Sequence, residues 1–265
     1  MQKKQRWVVK AGSNMVCSGG PLLLRSWAQQ IFALKRDYNI EIIWVTSGAI
    51  ATARDQLKQN EKKTKLSEKQ ALSAIGQPIV MDLYNIALQA EGLRGAQVLL
   101  TYDDLANSKR RANLKSTLET LLKWNMTPIL NENDAVATEE IKFGDNDSLS
   151  ARVAVHTNAH RLIILTDVMG LYDSNPNLNK NAKLINVVEN IKPSDLRKPG
   201  LNAKTNRGTG GMLSKLQAAK MATEKGIETF LLKGDVPSAL IRLAQGERIG
   251  TRIKARKNKK SRTTT

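Results

Sequence analysis

One cysteine, Cys17, stands among the 265 residues, which excludes an internal disulfide framework and a cysteine-based zinc cluster. Aromatic residues are scarce at 4%, too few to build a base-stacking surface. Purely apolar runs are short: Leu162–Leu165 is typical of the longest, against the roughly 20 residues a membrane-crossing helix requires. At the N-terminus Lys3, Lys4 and Arg6 are followed only by Trp7–Val9 before Lys10. No signal-peptide core fits there, so export is not expected and the cytoplasm is the default compartment. Acidic residues are also few, 24 against 42 lysines and arginines, for a net charge of +18.

That excess is the profile of a protein that meets polyanions. Residues 251–265 carry seven basic side chains and no acid, leaving +11 spread along the rest of the chain. With no basic cluster interleaved with aromatics, the charge reads as solubility and anionic small substrates; nucleic acid is not the expected partner. Hydrophobic residues at 41% are ordinary for a soluble globular chain, and the length suits one large α/β domain or two small ones.

Short apolar runs alternate with helical patterns, which predicts parallel βα units. Strands are expected at Trp7–Lys10, Glu41–Val45, Ala96–Leu100, Thr127–Leu130, Arg161–Thr166 and Thr229–Leu232, with a last one near Arg248–Ile253. Helices are expected at Leu22–Arg36, Ala49–Leu57, Glu68–Ala90 (interrupted around Gly76–Pro78), Arg111–Trp124, Ser148–Asn158, Gly211–Lys225 and Pro237–Gln245. Residues 58–66 read as a polar loop, Thr138–Phe143 as a surface hairpin, and the stretch after Lys254 as a disordered tail. Polar residues gather just after strands, at Ser47, Asn131, Asp134 and Thr166, where an open α/β sheet places its ligand crevice.

Four segments could carry chemistry. Val8–Asn14 (VVKAGSN) ends a strand on Lys10 and turns on a glycine, so an amine and backbone amides can meet a phosphate. Val45–Ile50 (VTSGAI) runs from a strand through Ser47 into a helix whose first amides can bind an anion, although on this segment alone a plain N-cap serine is the favoured reading. Asn131–Ala151 places Asn131, Glu132, Asn133, Asp134, Asp145, Asn146 and Asp147 within seventeen positions, and its second half abuts a helix start. Such residues can hold an amino group, ligate Mg²⁺ or orient lysines. Thr205–Ala219 brings glycines to a helix that carries Lys215 near its start; it is neither a Walker A motif nor a complete GxGxxG. His156 and His160 are four apart, but no third ligand accompanies them, and no metal site is assigned. Cys17 has no recognisable base partner.

Together and in this order, these segments resemble the amino-acid kinase family and, within it, the glutamate 5-kinases, over about Val8 to Thr251. The quoted stretches are Asn131–Ala151, Thr166–Pro176 (TDVMGLYDSNP) and Gly208–Gly226 (GTGGMLSKLQAAKMATEKG). The resemblance implies a three-layer αβα sandwich around a mainly parallel sheet. Residues 1–253 would form the kinase domain, with glutamate in the N-terminal half and ATP in the C-terminal half, and 254–265 a basic tail. It implies ATP-dependent phosphorylation of the glutamate side-chain carboxylate to glutamate 5-phosphate, the first step of proline biosynthesis.

By the same resemblance, Lys10 and Lys215 would contact the phosphoryl groups and Asp147 would hold the two lysines. Ser47, Asp134 and Asn146 would bind glutamate, with Asn131 assisting. Thr166, Asp167 and the loop Thr209, Gly210, Gly211, Met212, Leu213, Ser214 and Lys215 would hold the nucleotide, with Mg²⁺ bound alongside it. A dimer or tetramer and proline as feedback inhibitor are further implications. The PUA domain common in the family is not seen after Thr251, which implies a kinase-domain-only form; Asn175 stands where Asp is expected, and Gly12-Ser13-Asn14 varies the usual turn. The alternatives are a sibling kinase acting on another carboxylate or on a nucleotide, or a basic nucleic-acid-binding protein on a kinase-like fold.

Overall fold

The computed structural model describes residues 3–59, 65–137, 146–176, 178–197 and 211–256. The hairpin expected at Thr138–Phe143, Thr209 and Gly210 of the glycine loop, and the tail beyond Arg256 lie outside them. Eight strands form one sheet: β1 (Gln5–Ala11), β2 (Ile40–Val45), β3 (Gly95–Leu100), β4 (Thr127–Glu132), β5 (Arg161–Thr166), β6 (Val187–Val188), β7 (Glu228–Lys233) and β8 (Thr251–Ile253). Their order is β3-β4-β2-β1-β5-β7-β8-β6. Neighbours pair in parallel except β7 with β8, so the last two strands reverse direction at one edge.

Helices cover both faces. Alternate strand residues Trp7, Val9, Ile42, Trp44 and Ile129 pack against α1 (Ser13–Asp37), α3 (Leu66–Gln89) and α8 (Ala239–Ala244). The intervening residues Val8, Ile43, Val45, Leu130 and Ile164 pack against α5 (Ser108–Lys123), α6 (Asn146–His156) and α7 (Met212–Glu224). This is the three-layer sandwich expected, and strand alternation decides which helix layer each strand-end residue meets. β1 lies at the centre: the chain leaves it for β2 on one side and later returns to β5 on the other. That reversal is a topological switch point, and the crevice it opens lies at the carboxyl ends of β1, β2 and β5.

Three differences from the sequence reading have identifiable causes. The first helix begins at Ser13, not Leu22, with Met15 and Val16 amides donating to the Gly12 carbonyl; non-helical angles at Gly20, before Pro21, kink it. The helix expected from Arg111 starts at Ser108, because the Asn107 side chain caps the Lys109 and Arg110 amides; short α4 (Tyr102–Ala106) precedes it.

The interruption expected at Gly76–Pro78 is absent: α3 runs continuously from Leu66 to Gln89 with Pro78 inside. Gly76 serves contact instead. A Cβ there would overlap the Ala49 carbonyl oxygen at the start of α2 (Ala49–Leu57), so the missing side chain lets the two helices press together. Gly76→Ala is expected to cost about 1–3 kcal/mol, the range for forcing extra volume into a packed contact. Urea unfolding measures this, and an unchanged midpoint would refute the packing role. By length and composition α3 also passes for a membrane span, yet half of that stretch is buried, as in a core helix.

Candidate active site

The alternation that sends Val8 toward the α6/α7 layer sends Lys10 there too, at the end of β1. Asp147, in the first turn of α6, has no exposed surface, and Lys10 Nζ lies 2.6 Å from its Oδ1. Lys215, in the first turn of α7, reaches Asp147 Oδ2 at 3.2 Å, and the Ser214 hydroxyl donates to the same oxygen at 2.8 Å. Among the described residues two cations thus share one buried carboxylate, a local excess of one positive charge. Burial pushes the Asp147 carboxyl up, but the charges of Lys10 and Lys215, with hydrogen bonds from Lys10 and Ser214, overcome it and hold the group down at about 2. An excess positive charge in a partly dry crevice suits a phosphoryl group.

Lys10 also borders the first turn, its Nζ being 3.6 Å from where a Cβ on Gly12 would stand. The amides that open α1 there have no side-chain cap, and neither do those that open α7 after Gly211. On the strands flanking β1, Lys10 pairs with Val45 and with Ile164. Ser47 and Thr166 each lie two residues beyond those partners, on opposite sides of the lysine. The Thr166 hydroxyl donates to Asp167 Oδ1 at 3.1 Å, and its carbonyl accepts from the Gly234 amide at 2.9 Å.

A second network joins the ends of β2 and β4. Asn146 Nδ2 lies 2.6 Å from the Thr46 carbonyl, 2.6 Å from Asn131 Oδ1 and 2.9 Å from Ser47 Oγ. Asn131 Oδ1 also accepts from the Glu132 amide at 2.9 Å, while Asn131 Nδ2 donates to Gln77 Oε1 at 2.7 Å. Thr46 is fixed from beneath by the Tyr84 hydroxyl, 3.1 Å from its Oγ1, and Tyr84 accepts from Trp44 Nε1 at 2.9 Å. Burial raises the Tyr84 hydroxyl pKa well above its usual value, so it stays protonated.

Two groups thus form from the residues expected to act together: Lys10, Asp147, Ser214 and Lys215 make one, and Ser47, Asn131 and Asn146 the other. Adjacent Asn146 and Asp147 open α6 and link them. Asp134 is half-buried in the turn after β4, near the second group in sequence. Gly211 is the N-cap of α7, and Met212 and Leu213 begin its first turn.

Gln77 and Thr46 were not legible as site residues. The signal for Gln77 was its place in a buried helical stripe with Ser73, Val80, Met81 and Tyr84, obscured by its glycine and proline neighbours. His160 lies outside α6, at the opposite end of the sheet, where its Nδ1 accepts from the Arg6 amide at 3.0 Å. Cys17 sits by the Gly48 carbonyl and Thr52.

Comparison with known proteins places the chain in a family. The model of the family described as "Amino acid kinase family" matches residues 5–233. A glutamate 5-kinase of Caldanaerobacter subterraneus subsp. tengcongensis is 44% identical over 257 residues, 96% of this chain and 68% of that protein. A glutamate 5-kinase of Thioalkalivibrio sulfidiphilus is 42% identical over 255 residues, 94% of this chain and 67% of that protein. Among solved structures, one titled as isopentenyl phosphate kinase superposes with a TM-score of 0.63 at 19% identity. It covers 94% of this chain and 100% of its own, a likeness of fold.

Proposed function

The chain belongs to the amino acid kinase family, and from that premise we propose that it transfers the γ-phosphoryl group of ATP to the side-chain carboxylate of glutamate. The product, glutamate 5-phosphate, enters proline biosynthesis. The observation that carries the reading is the buried Asp147 carboxylate held between Lys10 and Lys215, with the amide network of Asn131 and Asn146 beside it.

The chemistry needs no proton-abstracting residue. A glutamate side chain with an ordinary pKa of about 4.3 is already ionised at neutral pH. The barrier is electrostatic, an anion approaching a polyanion, and it falls when fixed positive charge is placed where the transferring oxygens lie. In this reading Lys10 and Lys215 supply that charge, and Asp147 holds both ammonium groups in position before substrate arrives. Ser47, Asp134 and Asn146, with Asn131, hold glutamate in the N-terminal half. Thr166, Asp167 and the Thr209–Lys215 loop hold the nucleotide in the C-terminal half.

Among the described residues no group of three His, Cys, Asp or Glu could hold a metal ion, and Asp147 is engaged by lysines. In this reading Mg²⁺ would be bound with the nucleotide and would add positive charge to the same electrostatic task. The proposal extends to assembly into dimers or tetramers and to feedback by proline.

Incubation with ATP, Mg²⁺ and glutamate, with hydroxylamine to trap acyl phosphate, tests the reading. Glutamate-dependent hydroxamate is expected. Product formed only with another carboxylate, or phosphate transfer to UMP alone, would reassign the chain to a sibling activity.

A further inference from the structure

We propose that Gln77 is a positioning residue for substrate: by accepting from Asn131 Nδ2 it holds the Asn131 amide, and through it the Asn146 amide, rigidly in the orientation their backbone contacts select. The inference rests on the glutamate reading above. Side-chain amides are ambiguous in themselves, because oxygen and nitrogen can exchange places. Here the polarity is anchored at two backbone groups. The Glu132 amide can only donate, so the Asn131 atom that receives it must be oxygen. The Thr46 carbonyl can only accept, so the Asn146 atom beside it must be nitrogen.

With both amides so oriented, Asn131 Oδ1 takes an Asn146 proton at 2.6 Å, and Asn131 Nδ2 must find an acceptor elsewhere. Gln77 Oε1 is that acceptor, at 2.7 Å. The far end of the relay is the consequence: Asn146 spends its nitrogen on the protein and keeps Oδ1, an acceptor, on the opposite edge of the amide. An acceptor is what the ammonium group of an amino-acid substrate requires.

The remaining atom of Gln77 argues against a purely structural role. Its Nε2 is buried and has no hydrogen-bond partner among the described residues. An unsatisfied buried donor is unfavourable, and an apolar side chain of similar volume would avoid it. What Gln77 supplies that such a side chain cannot is its oxygen. Its neighbour explains how that oxygen arrives: Gly76 lets α3 press onto the start of α2, which follows Ser47, and brings the next residue to the end of β4.

Asn131 and Asn146 would grip the part of glutamate that does not react, so their disorder weakens substrate and transition state alike. Such a loss raises KM and spares kcat. Gln77→Met, or Gln77→Leu should that variant not fold, is expected to raise the KM for glutamate about tenfold. The kcat should stay within about threefold and the KM for ATP should not move. Gln77→Glu, which keeps an oxygen for Asn131 Nδ2, is expected to lie closer to the parent at pH 6 than the apolar variant does. The parent is assayed first, and absence of glutamate-dependent hydroxamate there overturns the glutamate reading and this inference with it. With an active parent, an unchanged glutamate KM in the apolar variant overturns the Gln77 role alone. So does a fall in kcat at constant KM, or a Gln77→Glu variant no better than the apolar one.

Discussion

Replacing Lys10 or Lys215 with alanine is expected to lower kcat by two to three orders of magnitude, the range for removing one preorganised charge aimed at a transition state. The fold should survive either change. In Lys10→Ala, Asp147 keeps Lys215 at 3.2 Å and the Ser214 hydroxyl at 2.8 Å. In Lys215→Ala it keeps Lys10 at 2.6 Å. The loss should therefore appear in turnover, with far-ultraviolet circular dichroism unchanged and the KM for glutamate near the parent's. Hydroxamate formation under saturating substrates is the measurement. Turnover within a few-fold of the parent in either variant would remove the two-lysine mechanism.

Asp147→Asn should act on both activity and stability. Without the carboxylate two ammonium groups remain mostly buried near each other, and breaking a buried ion pair typically costs about 3–5 kcal/mol. The lysines should also lose their shared anchor, so kcat is expected to fall by at least tenfold even in protein that remains folded. A pH signature separates this role from simple packing. The folded Asp147 carboxyl is depressed from 3.8 to about 2. A depressed carboxyl contributes stability that is fully present above its unfolded pKa and is lost as pH falls through the folded one. The window is thus about pH 4 down to about 2, and the contribution is on the order of 2 kcal/mol. Unfolding free energy followed by denaturant across that window should fall less steeply in Asp147→Asn than in the parent. Equal slopes would show that the lysine pairing does not depress the carboxyl.

Much of the frame is legible in the sequence. The strands expected from β-branched and apolar runs, β1 to β5 and β7, all form, and the buried ones among them read as continuous hydrophobic segments. The two-residue β6 carries too little pattern to be read locally; it forms because Val187 and Val188 pair with Arg252 and Ile253 of β8. The α3 interruption was misread because glycine and proline are breakers by local rule. Here the glycine meets a backbone oxygen of α2, a contact that exists only once the helices pack.

The candidate site divides in the same way. By itself the sequence determined the inventory: a strand-end lysine at 10, an acidic and amide segment ending at Asp147, and glycines leading to Lys215. Each is a local pattern of turn, strand end or helix start, and local chemistry is what a linear sequence displays. Only the tertiary structure decided that residues 10, 147 and 215 share one carboxylate, and that Gln77 completes the amide relay. The physical reason is register. Strand alternation at the centre of the sheet turns Lys10 toward α6 and α7, and Asn131, with the parity of Ile129, toward α3. Which layer each face meets is set by pairings between strands more than a hundred residues apart, such as β1 with β5.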